Sequence, residues 1–194
     1  MRYSIIIIAL IPLLVGGCSD EDSPSSPGPQ IDLMPLEVGN YWVHKRTPYL
    51  NGEQGTVRYD TMRILGTFTS ADNQTWYASN EGGSNTLTAY RNSELGLVVM
   101  NSMGSFRLPY PTEVGESLTF EGVEETMYIS VLRIDTVVTT LTGDYTCINY
   151  ALGDGTNLWR TVSVMPGVGI VYVEEEEQPD QTWFTSELIA YELK

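Results

Sequence analysis

The 194-residue chain carries 25 acidic residues against 10 basic ones, a formal charge of −15. Such a field repels phosphate backbones and anionic head groups, which argues against nucleic acid as a partner and against a basic patch as a means of membrane attachment. Hydrophobic residues make up 42% of the chain and cysteines number two, which suits one ordinary core without a disulfide framework.

The chain opens with Arg2, its only charge before Asp20, and continues into the apolar run Ile5 to Val15, which contains Pro12. A membrane-spanning helix needs roughly 18 or more apolar residues, so this run is too short to stay in the bilayer. A short positive start and a short apolar stretch are the parts of a secretory signal peptide. The run ends Val15-Gly16-Gly17-Cys18, small residues placed directly before a cysteine.

Val15-Gly16-Gly17-Cys18 resembles the lipobox of bacterial lipoproteins. The resemblance implies that residues 1–17 are removed and that Cys18 becomes the lipid-bearing first residue. Two or three acyl chains on one residue hold far more firmly than a single chain, at about 0.8 kcal/mol per buried methylene. The partner expected through Cys18 is therefore a membrane on which the protein sits without crossing it.

Residues 19–30 are polar apart from prolines and a glycine, and read as a disordered tether. Together with Cys18 they form the expected linker, 18–30. An extended Pro-rich chain of this length reaches about 35–40 Å. Ser19 departs from the aspartate that favours inner-membrane retention in known sorting systems, which points to the outer membrane. Ser19 with Asp20-Glu21-Asp22 also resembles the export tag of some surface lipoproteins. The periplasmic face and the cell surface both remain open.

Residues 31–194 are expected to form a single β-rich domain. The strand pattern covers 41–46, 56–66, 74–80, 84–91, 95–100, 104–108, 117–120, 126–141, 144–150, 157–163, 168–174 and 182–193. Turn signals such as Asn51-Gly52, Glu81-Gly82-Gly83, Gly143-Asp144, Gly153-Asp154-Gly155 and Pro179-Asp180 separate these stretches. No stretch keeps a 3.6-residue apolar period, so little helix is expected. The expected fold is all-β: one antiparallel, strongly curved sheet, as a half-open barrel or a sandwich. Both faces of 126–141 are largely apolar, which predicts a strand either held between two apolar surfaces or bent across a curved sheet.

Two segments bracket the domain: Pro35-Leu36-Glu37-Val38-Gly39-Asn40-Tyr41-Trp42 and Pro166-Gly167-Val168-Gly169-Ile170-Val171. Together they resemble exported bacterial lipoproteins with Pro-Leu-x-Val-Gly-Asn-x-Trp and Pro-Gly-Val-Gly-Ile-Val motifs. That resemblance implies a curved sheet, similar to the half-open barrels of periplasmic lipoprotein carriers, and no established activity. Physically, Gly39-Asn40 should turn the chain into the first strand. Gly167 and Gly169 should supply positive φ or close backbone approach.

Few residues invite chemistry. His44, the only histidine, is expected to be a solvated residue on an edge or early strand. No Gly-x-Ser-x-Gly elbow is present. Cys147 has no partner once Cys18 is lipidated and reads as a buried thiol. Glu121 to Glu125 and Glu174 to Glu177, with Asp180, are acidic clusters expected mainly to solvate hairpins. Calcium binding and glycoside hydrolysis by paired carboxylates are the alternatives for them. Asp60-Thr61-Met62 and Asp135-Thr136-Val137 resemble the O-glycosylation signal of some exported proteins.

No cofactor or metal ligand set and no catalytic constellation is read from the sequence. The leading expectation is a non-enzymatic binding or scaffolding domain whose partner is an envelope protein or glycan. A carrier-like half-barrel holding an acyl chain or other apolar ligand is the second, and a carbohydrate-active enzyme the third.

Overall fold

A computed structural model describes residues 31–81, 87–102, 104–121, 126–154, 157–177 and 182–194. The signal segment, Cys18 and the tether lie outside the described residues. No helix occurs among the described residues. The strands are β1 (Tyr41–Leu50), β2 (Glu53–Gln54), β3 (Arg58–Thr69), β4 (Thr75–Glu81), β5 (Leu87–Ser93), β6 (Gly96–Asn101) and β7 (Gly104–Pro109). They continue as β8 (Ser117–Glu121), β9 (Thr126–Thr140), β10 (Gly143–Gly153), β11 (Leu158–Met165), β12 (Gly169–Glu177) and β13 (Thr182–Glu192). Each expected stretch overlaps a strand, residues 84–86 of the stretch 84–91 lying outside the described residues. The two-residue β2 was not anticipated; it is created by the Asn51-Gly52 turn, whose two positive φ angles of 50° and 82° fold β1 back on itself.

All strands join one antiparallel sheet in the order β7-β6-β5-β4-β3-β1-β13-β12-β11-β10-β9-β8, with β2 off the path against β1. Chain neighbours are sheet neighbours except β2 with β3 and β7 with β8. β1 pairs with β13, which sews the last strand into the middle of the sheet. β7 and β8, the two sheet edges, face each other across a seam that nearly closes the barrel. Phe106 on β7 and Phe120 on β8 bridge that seam, with ring centroids 5.4 Å apart. Tyr150 on β10 donates its hydroxyl hydrogen to Pro109 O at 2.8 Å, tying the end of β7 to the opposite side of the seam.

Strand β9 bends. Its register against β10 slips twice, and Asp135 takes a φ of 61°. Met127, Ile129 and Val131 point into the core before the slips, while Leu132, Ile134 and Val137 are exposed. The tip of the β9–β10 hairpin then folds back onto β13. Leu141 N donates to Glu187 Oε1 at 2.7 Å, and Thr142 Oγ1 to Leu188 O at 3.4 Å. The bend, rather than burial between two surfaces, accounts for the apolar residues on both faces.

The core is the barrel interior. A circuit of this many strands is wider than the eight-stranded barrels that side chains alone can fill. One end is filled by the segment before β1. Leu33 and Met34 are fully buried there, beneath Trp42, Val164 and Leu188. This segment is laced to three parts of the wall. Gly167 N donates to Asp32 O (2.8 Å), Asn92 Nδ2 to Met34 O (2.8 Å) and Gly39 N to Ile64 O (2.9 Å).

The two bracketing motifs meet at this closed end. Trp42 Nε1 donates to Val168 O at 2.6 Å. A Cβ on Gly169 would lie 3.2 Å from Met34 Cγ and 3.4 Å from Trp42 Nε1, and the residue holds a φ of 107°. Asn40, itself buried, donates to Pro35 O and accepts from Lys194 N. The positive φ expected at Gly167 and Gly169 is present, and Gly39, in the expected turn, also takes a positive φ of 97°. Both motifs thus shape the barrel's base.

Candidate functional site

The opposite end of the barrel is not filled. A cavity of about 420 Å³ opens there. The cause lies in the order of side chains along each inward face. On β3 the inward residues run Arg58, Asp60, Met62, Ile64; on β1 they run Arg46, His44, Trp42. Strand register places these directly opposite each other: Arg46 with Arg58, His44 with Asp60, Trp42 with Met62. On β11 the order is Arg160, Val162, Val164, opposite Glu175, Val173 and Ile170 of β12. On β6 it is Asn101, Val99, Leu97. The walls formed by β1, β3, β6, β11 and β12 therefore grade from polar at the mouth to apolar at the floor. The floor is built by Met62, Tyr90, Val99, Phe106, Leu152 and Val162.

Charge at the mouth differs from charge elsewhere. Three arginines (46, 58 and 160) and two carboxylates (Asp60 and Glu175) line the cavity. Among the described residues, the lining thus carries a formal +1 in a chain of −15. Arg160 and Glu175 are direct cross-strand partners, and both Nε and Nη2 of the guanidinium meet Glu175 Oε2. Arg46 lies over the Phe184 ring, its guanidinium carbon 3.6 Å from the centroid. Aromatic stacking of this kind holds a guanidinium flat against the ring.

His44 corrects the sequence expectation. Strand β1 is central, between β3 and β13, so His44 is neither on an edge nor out in solvent. It lines the cavity, half-buried, and its Nε2 lies 3.0 Å from Ile170 O. A carbonyl only accepts, so this nitrogen carries the proton. The acidic run of β12 is divided by strand alternation. Glu175 turns into the cavity, while Glu174 and Glu176 are exposed. Glu121 is exposed, and residues 122–125 and Asp180 lie outside the described residues. Among the described residues, no group of three or more His, Cys, Asp or Glu is placed to hold a metal ion.

Cys147 is a free, buried thiol, as expected, and burial pushes its pKa up to about 12. Burial, then the charges of Tyr110 and Glu116, also raises that of Tyr150. In the two glycosylation-like triplets, Thr61 is exposed and Thr136 half-buried.

Asp60 and Glu175 are the two carboxylates of the cavity lining, and a carboxylate-pair hydrolase would have to use them. Glu175, however, is engaged by Arg160 on the adjacent strand. The arginines were not singled out from sequence, and Asp60 was noted only as part of a glycosylation-like triplet. The available signal was a charged residue in phase with buried apolar ones, as in Arg58-x-Asp60-x-Met62-x-Ile64.

The class defined by this geometry is a wide antiparallel meander rolled into a barrel with a plugged base and an open, lined mouth. A crystal structure of a Bacteroides fragilis candidate exported protein, described as having a YmcC-like fold, is similar to it. The TM-score is 0.51 at 12% identity, covering 84% of this chain and 100% of that one. A candidate lipoprotein from Parabacteroides distasonis is 11% identical over 84% of this chain and 99% of its own, with a TM-score of 0.39. No protein-family profile and no curated protein matches the chain.

Proposed function

We propose that the chain is an extracytoplasmic lipoprotein, anchored through lipid on Cys18 at the outer membrane, whose barrel binds an apolar ligand in its open end. The single observation that carries the binding role is the 420 Å³ cavity with its apolar floor. Pockets of about 300–1,000 Å³, mostly apolar with a few placed polar groups, are the usual size and character of small-molecule sites. The lipobox-like segment ending at Cys18 supports the anchor. The description of the similar B. fragilis structure as an exported protein supports the location.

Calorimetry with a neutral amphiphile, decanol, tests the binding role. Every strand and every core residue lies after residue 30, so the mature chain (residues 18–194) contains the whole described fold. Cys18→Ser in that chain removes any competing anchor lipid. One equivalent should bind with a negative heat-capacity change, the mark of apolar burial. Ser186→Trp, which projects a large ring into the mouth, should abolish binding while far-UV circular dichroism is retained. Equal binding by both proteins would contradict a site inside the barrel. Loss of palmitate labelling in full-length Cys18→Ser would test the anchor, and protease shaving of intact cells would separate surface from periplasm.

A further inference from the structure

We propose that the cavity takes one unbranched hydrocarbon chain of limited length, and that Val99 on the floor sets the limit. This rests on the barrel binding an apolar ligand and adds its class: a single-chain amphiphile held tail-inward.

Register builds the floor. Tyr77, Tyr90, Val99 and Phe106 are successive cross-strand partners from β4 to β7. Phe106 then meets Phe120 of β8 across the seam. A row of aromatic rings thus crosses these strands, interrupted at Val99. Tyr90, Val99 and Phe106 all line the cavity. Neighbouring strands lie about 4.8 Å apart, so Tyr90 and Phe106 stand on backbones roughly 10 Å apart with the valine between them. Two rings flanking the shortest side chain of the row leave a slot suited to one hydrocarbon chain in van der Waals contact. The slot goes no deeper. Leu97, the next inward residue of β6, is fully buried in the same core as Leu33, Met34 and Trp42. At the other end the walls are polar, so a ligand's head remains at the mouth, where it keeps its water, and its tail descends.

Volume limits the chain. At roughly 30 Å³ for a water-sized group, which a methylene approximates, 420 Å³ takes about fourteen such groups. The two or three chains of a membrane lipid or a lipoprotein anchor exceed that. A close-packed base cannot retreat to admit more. Each methylene beyond the capacity stays in water and adds no affinity.

The test titrates the mature chain with Cys18→Ser against neutral n-alkyl maltosides with tails of six to sixteen carbons. Each is used below its critical micelle concentration, by calorimetry, with displacement of decanol for the tighter members. Affinity should rise about fourfold per added methylene and stop rising at or before about fourteen carbons. Val99→Phe adds about four carbon-sized groups to the floor and should move that break about four carbons shorter. Phe106→Leu removes about three and should move it about three carbons longer. Circular dichroism checks that each variant folds, and the wild-type break stands without either. Didecanoyl phosphatidylcholine should bind within about threefold of its monodecanoyl counterpart, because the second chain finds no room. Affinity that climbs steadily to sixteen carbons would overturn the length limit while leaving apolar binding intact. A break that stays in place in both folded variants would overturn the role of Val99 and the floor. Two-chain binding more than about tenfold tighter than single-chain binding would overturn the chain number. Failure of decanol and the whole series to bind would overturn both this inference and the binding role beneath it.

Discussion

The two ends of one barrel are built from the same strands to opposite purposes. At the base, Trp42, Leu188, Val164, Leu33 and Met34 fill the interior, and each of Gly167, Gly169 and Asn92 is bonded or packed to the segment before β1. At the mouth the same strands present Arg46, Arg58, Asp60, Arg160 and Glu175, which reach toward water, and space is left between them. The difference teaches that a wide barrel need not be filled along its whole length. Stability is concentrated at the base, and the mouth is left available for a ligand.

That contrast predicts unequal costs of substitution. Trp42→Ala at the base should cost about 3–5 kcal/mol, because it empties a fully buried site and leaves Val168 O without its donor. Urea denaturation monitored by circular dichroism would measure it. Gly169→Ala should cost about 1–3 kcal/mol, since a side chain there is strained at a φ of 107° and presses on Met34 and Trp42. Arg58→Gln at the mouth should change stability by no more than about 0.5 kcal/mol in the same assay. A mouth substitution as costly as Trp42→Ala would break the comparison.

Cys147 adds a pH test. Its folded pKa of about 12 lies above its ordinary value of 9.0, so the buried neutral thiol favours folding most fully below pH 9. That contribution is lost as pH rises from 9.0 through about 12, where the unfolded thiol ionises first. Alkylation at pH 9 should therefore be slow in the native protein and rapid in urea. Cys147→Ala should lessen the alkaline fall in stability. Rapid native alkylation would show that the thiol is accessible.

Much of the fold was legible in the sequence because strand alternation and Gly/Asn turn signals are local. Trp42 and Gly169 stood out as motif residues, yet their mutual contact joins positions far apart in the chain and has no local signature. The cavity was harder to see for the same reason. Arg46 and Arg58 become neighbours only through the pairing of β1 with β3. His44 was misplaced because its strand lies at the centre of the sheet, and β1 reaches the centre only by pairing with the last strand, β13. Strand β9 was read correctly as two-faced, but the register slips and the positive φ at Asp135 that bend it depend on its partner.

The two ends carry their own reporters. Met62 lies on the cavity floor and Met34 in the plugged base, while Met100 is exposed on the outside. The most direct measurement is a decanol titration of the mature chain, with Cys18→Ser, labelled with methyl-13C methionine, the Met62 signal being assigned with Met62→Leu. Ligand in the open end should move the Met62 methyl resonance saturably and leave those of Met34 and Met100 in place. A Met62 resonance that stays fixed while decanol binds, or one that moves no more than that of Met100, would contradict a binding cavity at the mouth of the barrel.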